Sequence, residues 1–246
     1  MAAKLRNTIS RMLPESQKYR ISMLGSFMTY KIAAVMKGLS PLWEEDPEFN
    51  EIYAKVQTRI LLDQARCHVL LQLSRRQRYV TGNIAELGAY RCGASLFLTG
   101  NDNAPGKTLH IIDSFAGLPE VGAKDPFWKK GEMGLTDFTE IQGFLKANLL
   151  NTPYVLHRGF FPQEISLDSL RNPWSLVHID TDLYQPTLDA LNFFYPLLSI
   201  GGVILVDDFG NSSCPGVVSA VREFEAENKV QSIYLISGQA IFFKHC

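Results

Sequence analysis

The feature that most constrains the fold of this chain is a series of short apolar runs separated by helical stretches. Five runs of strand length follow one another at 83–87, 108–113, 154–157, 175–180 and 202–207. Continuous apolar strands that alternate with helices are typical of a parallel sheet buried on both faces. We therefore predict an α/β domain with a mostly parallel sheet.

Both ends of the chain differ from this central pattern. The N-terminal quarter has helical character, and 59–76 carries a broad apolar stripe at helical spacing. Near the other end, 231–236 and 239–244 have the character of strands, and Ser237 and Gly238 lie between them. A two-residue loop containing glycine predicts an antiparallel hairpin. A further helix is expected from Pro186, a residue that suits a first helical turn, to about Leu198.

One segment, 122–139, contains no strand pattern and few aliphatic residues. A long irregular loop inside a compact domain is often a functional lid. Its aromatic residues Phe127, Trp128 and Phe138 would then close over a site, although ordinary surface packing explains them equally well.

The amino-acid composition limits which cellular compartment and which binding partners are expected. The 246 residues fit one domain, and 24 basic against 25 acidic residues give a net charge of −1, which argues against a nucleic-acid partner. The four cysteines show no zinc-type spacing, and no secretory apolar segment follows Met1. Pro196 and Gly201 interrupt the longest apolar stretch, so no membrane span is expected. We expect a cytoplasmic protein with reduced thiols.

The turn after the first strand reads AELGAYRCGAS over 85–95 and opens a helix near Ala94. Free backbone N–H groups at such a helix start suit an anionic or nucleoside ligand. The turn is neither GxGxxG nor a P-loop. Asp113 ends the next strand about 20 residues after Gly93, where an acid often binds ribose hydroxyls. The alternative is a plain strand-to-helix turn with a cap.

Glu86 bears on the type of ligand, because a carboxylate just before this turn disfavours a phosphate-bearing dinucleotide. It tolerates a ligand that has an ammonium group and no phosphate. S-adenosylmethionine has these properties, which favours a methyltransferase over a dehydrogenase.

Acidic residues follow the fourth and fifth strands, as Asp180 and Asp182 in HIDTD and as Asp207 and Asp208 in VDDFG. Carboxyl ends of parallel strands meet at one sheet edge, so Asp180, Asp207 and Asp208 are expected to converge. Carboxylates at close range repel unless a cation lies among them, and oxygen ligands select a hard ion such as Mg²⁺. Two alternatives remain, that Asp207 and Asp208 cap a turn and that Asp182 caps the following helix.

Three other residues near these motifs have simpler interpretations. His178 and His157 lie inside strands and are expected to pack in the core or to support the site from behind. Cys92 has no histidine close in sequence and is interpreted as a small packing residue.

Four segments together resemble the macrocin O-methyltransferase family, over roughly 49–244. They are ELGAYRCGAS, IIDSFAGLPE, HIDTDLYQPT and VDDFG, in the family's order. The resemblance implies a Rossmann-like, seven-stranded class I methyltransferase sheet, mostly parallel with an antiparallel C-terminal hairpin. From the helical character of the N-terminal quarter we expect a helical segment, 1–78, packed on a methyltransferase core of 79–246, within one structural domain overall. Cys92 stands where the family usually has glycine, and Phe209 where it usually has tyrosine.

The resemblance also implies a set of site residues. Those expected to bind S-adenosylmethionine are Glu86, Gly88, Ala89, Tyr90, Arg91, Gly93, Ser95, Asp113, Ser114, Gly159, Phe160 and Asp180. Within this set, Gly159 and Phe160, together with Phe161, fall at the family's adenine pocket. The implied Mg²⁺ ligands are Asp180, Asp207 and Asp208, and Asp180 is also the expected general base.

The predicted function is therefore methyl transfer, dependent on S-adenosylmethionine and Mg²⁺, to a hydroxyl of a sugar or glycosylated natural product. The partner is a small hydroxylated acceptor, and a homo-oligomer is expected. Two alternatives stay open: a methyltransferase for catechol-type phenols, and a non-catalytic partner protein that retains the fold.

Overall fold

A computed structural model describes residues 41–100, 106–134 and 137–245, and these fold into a central sheet between two helical layers. The strands are β1 Asn83–Leu87, β2 Leu109–Asp113, β3 Tyr154–Arg158, β4 Trp174–Ile179, β5 Leu198–Val206, β6 Ile233–Tyr234 and β7 Ala240–Phe243. The helices are α1 Pro47–Val56, α2 Gln64–Gln77, α3 Ala94–Thr99, α4 Phe138–Asn148, α5 Tyr184–Leu197 and α6 Pro215–Asn228. Two short 3₁₀ turns lie at Leu42–Glu45 and Leu167–Leu170.

The sheet has the order β3-β2-β1-β4-β5-β7-β6. Strands β1 to β5 pair in parallel, whereas β7 pairs antiparallel with both β5 and β6. This confirms the predicted mostly parallel sheet with an antiparallel C-terminal hairpin. Chain order reverses between β1 and β4, and a reversal of this kind opens a ligand crevice at the carboxyl ends of the strands.

Alternate residues of the central strands point into two separate apolar clusters. In β4, Leu176 joins the cluster covered by α1 to α4, whereas Val177 joins the cluster covered by α5 and α6. In β5, Val203 and Ile204 divide in the same way. Since strands buried on both faces need apolar side chains at every position, this explains the unbroken apolar runs in the sequence.

Three predicted boundaries were wrong. Strand β5 starts at Leu198 and not at residue 202, because Gly201, at φ +80°, lies within the strand beside an irregular register with β4. Strand β6 is only two residues long, because a turn closed by Gly238 N–H donating to Leu235 O begins before residue 237. Helix α2 starts at Gln64 and not at residue 59, because the Asp63 side chain caps it there.

Part of the predicted N-terminal segment, residues 1–40, lies outside the described residues. The rest of it supplies α1 and α2, whose residues Phe49, Ile52 and Leu70 are buried in the first apolar cluster. Within the described ranges, no helix is long and apolar enough to cross a membrane.

Candidate active site

The turn after β1 is pressed directly against the turn after β4. Gly88 has a φ of +80°, and a Cβ built on it would lie 1.8 Å from the carbonyl oxygen of Asp180. The Asp180 N–H also donates to the carbonyl oxygen of Leu87 at 2.9 Å. Glycine is therefore required at position 88 by both conformation and close approach.

Asp113, at the end of β2, fixes the shape of this turn. Its carboxylate accepts the N–H of Tyr90 at 2.8 Å and the N–H of Phe115 at 2.6 Å. Burial raises the pKa of Asp113, and these backbone donors oppose the rise. The predicted ribose-binding acid therefore lies at the cavity with a fixed orientation.

Glu86 lies behind the turn and is fully buried. The Ser95 hydroxyl donates to one of its oxygens, and the other, Oε1, has no hydrogen-bond partner among the described residues. Burial raises the pKa of Glu86 to about 8. Burial therefore disfavours the ionised form of Glu86, and its role in selecting the ligand stays a prediction.

Four carboxyl groups meet where β4 and β5 end, and we call Asp180, Asp182, Asp207 and Asp208 the acidic cluster. Asp182 and Asp208 adopt left-handed backbone conformations, with φ of +60° and +58°. Such conformations are uncommon for non-glycine residues and concentrate at functional sites.

Asp207 is the most firmly held member of the acidic cluster. Its Oδ2 accepts Gln239 Nε2 at 3.0 Å and lies 3.3 Å from His178 Nε2. Its Oδ1 accepts Arg66 Nη1 at 2.6 Å. The interpretation of His178 as a buried supporting residue agrees with this contact, and the other strand histidine, His157, pairs with His110 at 3.0 Å away from the cluster.

Arg66 was missed in the sequence, although it is the cation nearest the acidic cluster among the described residues. Its Nη1 bridges Asp207 Oδ1 and Asp208 Oδ1, the latter at 3.0 Å. Arg66 comes from the first turn of α2, 141 residues before Asp207. No local spacing signals so distant a contact.

The charges of the acidic cluster are only partly compensated. Burial, and then repulsion from the other carboxylates, raises the pKa of Asp180 and of Asp182 well above the ordinary value. Burial would also raise the pKa of Asp207, but Arg66 and His178 hold it below the ordinary value. Within the cluster, Arg66 thus contacts only Asp207 and Asp208, and Asp180 and Asp182 are left without a cationic partner among the described residues. The charge balance of the cluster therefore leaves room for a further cation.

The irregular segment before α4 is anchored to the second helical layer. Both Asp125 oxygens accept the Tyr184 N–H at the start of α5, at 3.0 and 3.2 Å. The ammonium of Lys124 lies 3.4 Å from the centre of the Tyr184 ring and 3.2 Å from a Glu223 oxygen. Asp125, and not Asp182, therefore binds the N-terminal end of α5, so the helix-cap alternative for Asp182 was wrong.

The three aromatic residues of the predicted lid have different places. Trp128 lines the cavity, Phe127 is exposed, and Phe138 begins α4 and packs against Phe115. Residues 135 and 136 lie outside the described part of the chain. Trp128 is therefore the one of the three that faces the site.

The β1 turn and the acidic cluster open into one cavity of about 540 Å³. Predicted cofactor residues that line it are Gly88, Ala89, Tyr90, Gly93, Asp113, Ser114, Gly159, Phe160 and Asp180. Asp182 and Asp208 also line it, whereas Glu86, Arg91, Ser95 and Asp207 do not. Cys92 is fully buried within the first apolar cluster, in agreement with its interpretation as a packing residue.

Comparison with known proteins identifies the family. A family model described as macrocin-O-methyltransferase (TylF) matches residues 64–245. The chain belongs to this methyltransferase family. All four segments that suggested the resemblance lie within the matched range.

Two curated relatives are similar over part of their length. The first, an 8-demethyl-8-(2,3-dimethoxy-alpha-L-rhamnosyl)-tetracenomycin-C 4'-O-methyltransferase from Streptomyces olivaceus, is 29% identical over 68% of this chain and 67% of its own. The second, a demethyldecarbamoylnovobiocin O-methyltransferase from Streptomyces niveus, is 29% identical over 60% of each chain. This chain thus spans about two thirds or less of their lengths.

A solved structure supports the same fold. The O-methyltransferase NovP superposes with a TM-score of 0.67 and 24% identity, covering 76% of this chain and 83% of its own. The chain therefore belongs to the macrocin O-methyltransferase family and shares the fold of NovP.

Proposed function

We propose that this methyltransferase transfers the methyl group of S-adenosylmethionine to a hydroxyl of a sugar or glycosylated natural product. The observation that supports this best is the single cavity, which joins the β1 turn to the acidic cluster. A methyl donor and a hydroxyl acceptor must meet in one space for in-line transfer, and such a cavity holds both. Both curated relatives carry names of natural-product O-methyltransferases, and one name includes a rhamnosyl group.

The cofactor half of the proposed site is built from backbone and a fixed carboxylate. Gly88 and Tyr90 supply a turn that a ligand can approach closely, and Asp113 supplies an oriented acceptor for ribose hydroxyls. Phe160, beside Gly159, offers an apolar surface for the adenine ring. Glu86 and Ser95 support the turn from behind.

The donor set at the acidic cluster fits a hard divalent ion. Carboxylate oxygens are the main donors, with His178 beside Asp180 and Asp207, and Cys214 beside Asp182 and Asp208. Burial and mutual repulsion raise the pKa of Asp180 and of Asp182, and a bound cation would relieve that repulsion. We assign Asp180, Asp207 and Asp208 as the residues that would hold Mg²⁺. When bound, Mg²⁺ would lower the pKa of the acceptor hydroxyl and orient it.

The proposed proton acceptor is Asp180, which lies at the junction of the two halves of the cavity. Asp182 is a second candidate because it also lines the cavity and lies outside the assigned ligand set. The two assignments differ in metal binding. Asp180→Asn should weaken both Mn²⁺ binding and methyl transfer. If Asp182 is the base, Asp182→Asn should abolish methyl transfer while the affinity for Mn²⁺ is largely kept.

The cavity wall near the acidic cluster favours a sugar over a catechol. Trp128 contributes an aromatic surface, while Asn211, Ser212, Ser213 and Ser237 contribute polar groups. A flat aromatic acceptor would fit a slot lined mainly by apolar residues, whereas a sugar needs hydrogen-bonding groups around its ring.

A calorimetric and kinetic comparison tests the proposal. The protein should bind S-adenosylhomocysteine and should not bind NAD. Asp207→Asn combined with Asp208→Asn should keep the cofactor affinity and lose methyl transfer, as should excess EDTA. Asp168→Asn, the same change at a highly exposed site, is the matched control. Full activity of the double variant, or activity unchanged by EDTA, would remove the metal assignment, and NAD binding without S-adenosylhomocysteine binding would overturn the proposal.

A further inference from the structure

Arg66 places one cationic atom between the two aspartates that follow β5. Its Nη1 lies 2.6 Å from Asp207 Oδ1 and 3.0 Å from Asp208 Oδ1. A guanidinium is always protonated in proteins, so Nη1 belongs to a cation that attracts both carboxylate oxygens. A divalent ion held by the same two carboxylates would compete with the Arg66 guanidinium for their negative charge.

Donors other than Arg66 also hold these two carboxylates. Asn211 Nδ2 donates to Asp208 Oδ1 at 2.9 Å, and the Asp208 N–H donates to Asp207 Oδ1 at 3.1 Å. The remaining oxygen of Asp207 is held by His178 and Gln239. The Arg66 side chain keeps 19% of its surface exposed, whereas that of Asp207 is fully buried. Arg66 is therefore the partly exposed partner of a fully buried carboxylate, whereas the other side-chain partners of that carboxylate, His178 and Gln239, are fully buried.

Asp63 offers Arg66 a second carboxylate at close range. The Asp63 Oδ1 accepts the Arg66 N–H at 2.9 Å as the cap of α2, and its Oδ2 lies 3.5 Å from Arg66 Nε. Both residues line the cavity. A guanidinium that leaves Asp207 and Asp208 can therefore stay paired with Asp63, which avoids the cost of an unpaired buried charge.

We propose that Arg66 is a positioning residue that holds Asp207 and Asp208 together in the metal-free protein and moves onto Asp63 when a divalent ion binds. The proposal rests on the metal assignment of the proposed function. It explains how closely spaced buried carboxylates fold without metal, and it means that the affinity for metal reports an exchange of cations.

Mn²⁺ binding, followed by the loss of the free-ion electron paramagnetic resonance signal, tests the exchange without any methyl acceptor. Arg66→Met should lower the Kd for Mn²⁺ by about tenfold or more, because the competing cation is gone. Arg75→Met is the matched control, since Arg75 lies on the same helix and pairs with Asp46 and Glu48 instead. Its Kd should equal that of the wild type. A folded Arg66→Met protein with equal or weaker Mn²⁺ affinity overturns the proposal.

Asp63→Asn tests the second position of Arg66, because asparagine keeps the helix cap but loses the charge. Asp63→Asn should weaken Mn²⁺ binding more in the wild-type protein than in the Arg66→Met protein. If Asp63 acted only through its charge, the loss of Mn²⁺ affinity would be the same in both proteins. Equal effects contradict the exchange. If Arg66→Met fails to fold, Arg66→Lys replaces it in the experiment. The Kd of Arg66→Lys for Mn²⁺ should be lower than that of the wild type, because an ammonium bridges Asp207 and Asp208 less well than a guanidinium does. A Kd no lower than the wild-type value contradicts the exchange.

Calorimetry with S-adenosylhomocysteine on the same samples separates this proposal from the proposed function. Absence of Mn²⁺ binding in all variants overturns the exchange while leaving cofactor binding intact. Absence of S-adenosylhomocysteine binding overturns the proposed function, but the Mn²⁺ affinities of the variants still test the exchange.

Discussion

Glu86 should make the stability of this methyltransferase fall as pH rises, and Glu86→Gln should remove that dependence. Burial raises the pKa of Glu86 from 4.5 to about 8 in the folded protein. The folded state therefore keeps a proton that the unfolded state has released between these pH values. Unfolding releases a proton in this window, so the free energy of unfolding decreases as pH increases.

The magnitude follows from the shift of the pKa. Each unit of pKa shift corresponds to about 1.4 kcal/mol, so the shift of Glu86 changes the free energy of unfolding by about 5 kcal/mol across the whole pH window. Glutamine has nearly the same shape, accepts from the Ser95 hydroxyl and does not ionise. The free energy of unfolding of Glu86→Gln relative to the wild type should therefore increase by about this amount between pH 4.5 and pH 8.

Urea unfolding of both proteins at several pH values across this window measures the difference directly. Glu227→Gln, a change of an exposed glutamate on α6, controls for the loss of a surface carboxylate. If the free energies of unfolding of Glu86→Gln and of the wild type differ by the same amount at every pH, the assignment of a buried neutral carboxyl group is refuted. Calorimetry should also show S-adenosylhomocysteine affinity nearly unchanged in Glu86→Gln, because Glu86 lies behind the turn.

Three further substitutions test other parts of the structure. Gly88→Ala should abolish S-adenosylhomocysteine binding in calorimetry, because its Cβ would overlap the Asp180 carbonyl oxygen at 1.8 Å; unchanged affinity would contradict the close approach. Asp125→Asn should raise the KM for the acceptor several-fold with cofactor affinity kept, because it removes the charge at the Tyr184 N–H; equal KM values would show that this anchor does not shape the site. Lys107→Met should cost about 2 kcal/mol or more in urea unfolding, because the buried ammonium donates to backbone and side-chain oxygens, and a neutral result would contradict that role.

The sheet could be predicted from sequence because its determinants are local. Apolar runs of strand length mark β1 to β4 to within a residue or two, and glycine and aspartate mark where strands end. Gly201 and Gly202 misled the prediction of β5, because a glycine that breaks a run in sequence serves here as an irregular position within a strand. The length of β6 was misjudged because the apolar residues that suggested a longer strand, Ile233 in β6 and Ile236 after it, are exposed.

The carboxylates of the site could be predicted because parallel strands bring their ends to one edge. The cationic partner of Asp207 and Asp208 could not be predicted, because Arg66 comes from a distant helix and carries no recognisable motif. The contact of Asp125 with the Tyr184 N–H also joins distant segments of the chain. The raised pKa of Glu86 could not be predicted for a related reason, because it depends on complete burial, which the residue order does not show. Sequence thus located the acids, and the structure supplied the contacts that shift their pKa values.

The most direct test of the proposed function is transfer of a deuterated methyl group from labelled S-adenosylmethionine, in the presence of Mg²⁺, to a panel of glycosides and catechols. Mass spectrometry of the products locates the label. We expect label on a sugar oxygen of at least one glycoside, and we expect EDTA to abolish that labelling. Label found only on catechols, or on no acceptor hydroxyl at all, would contradict it.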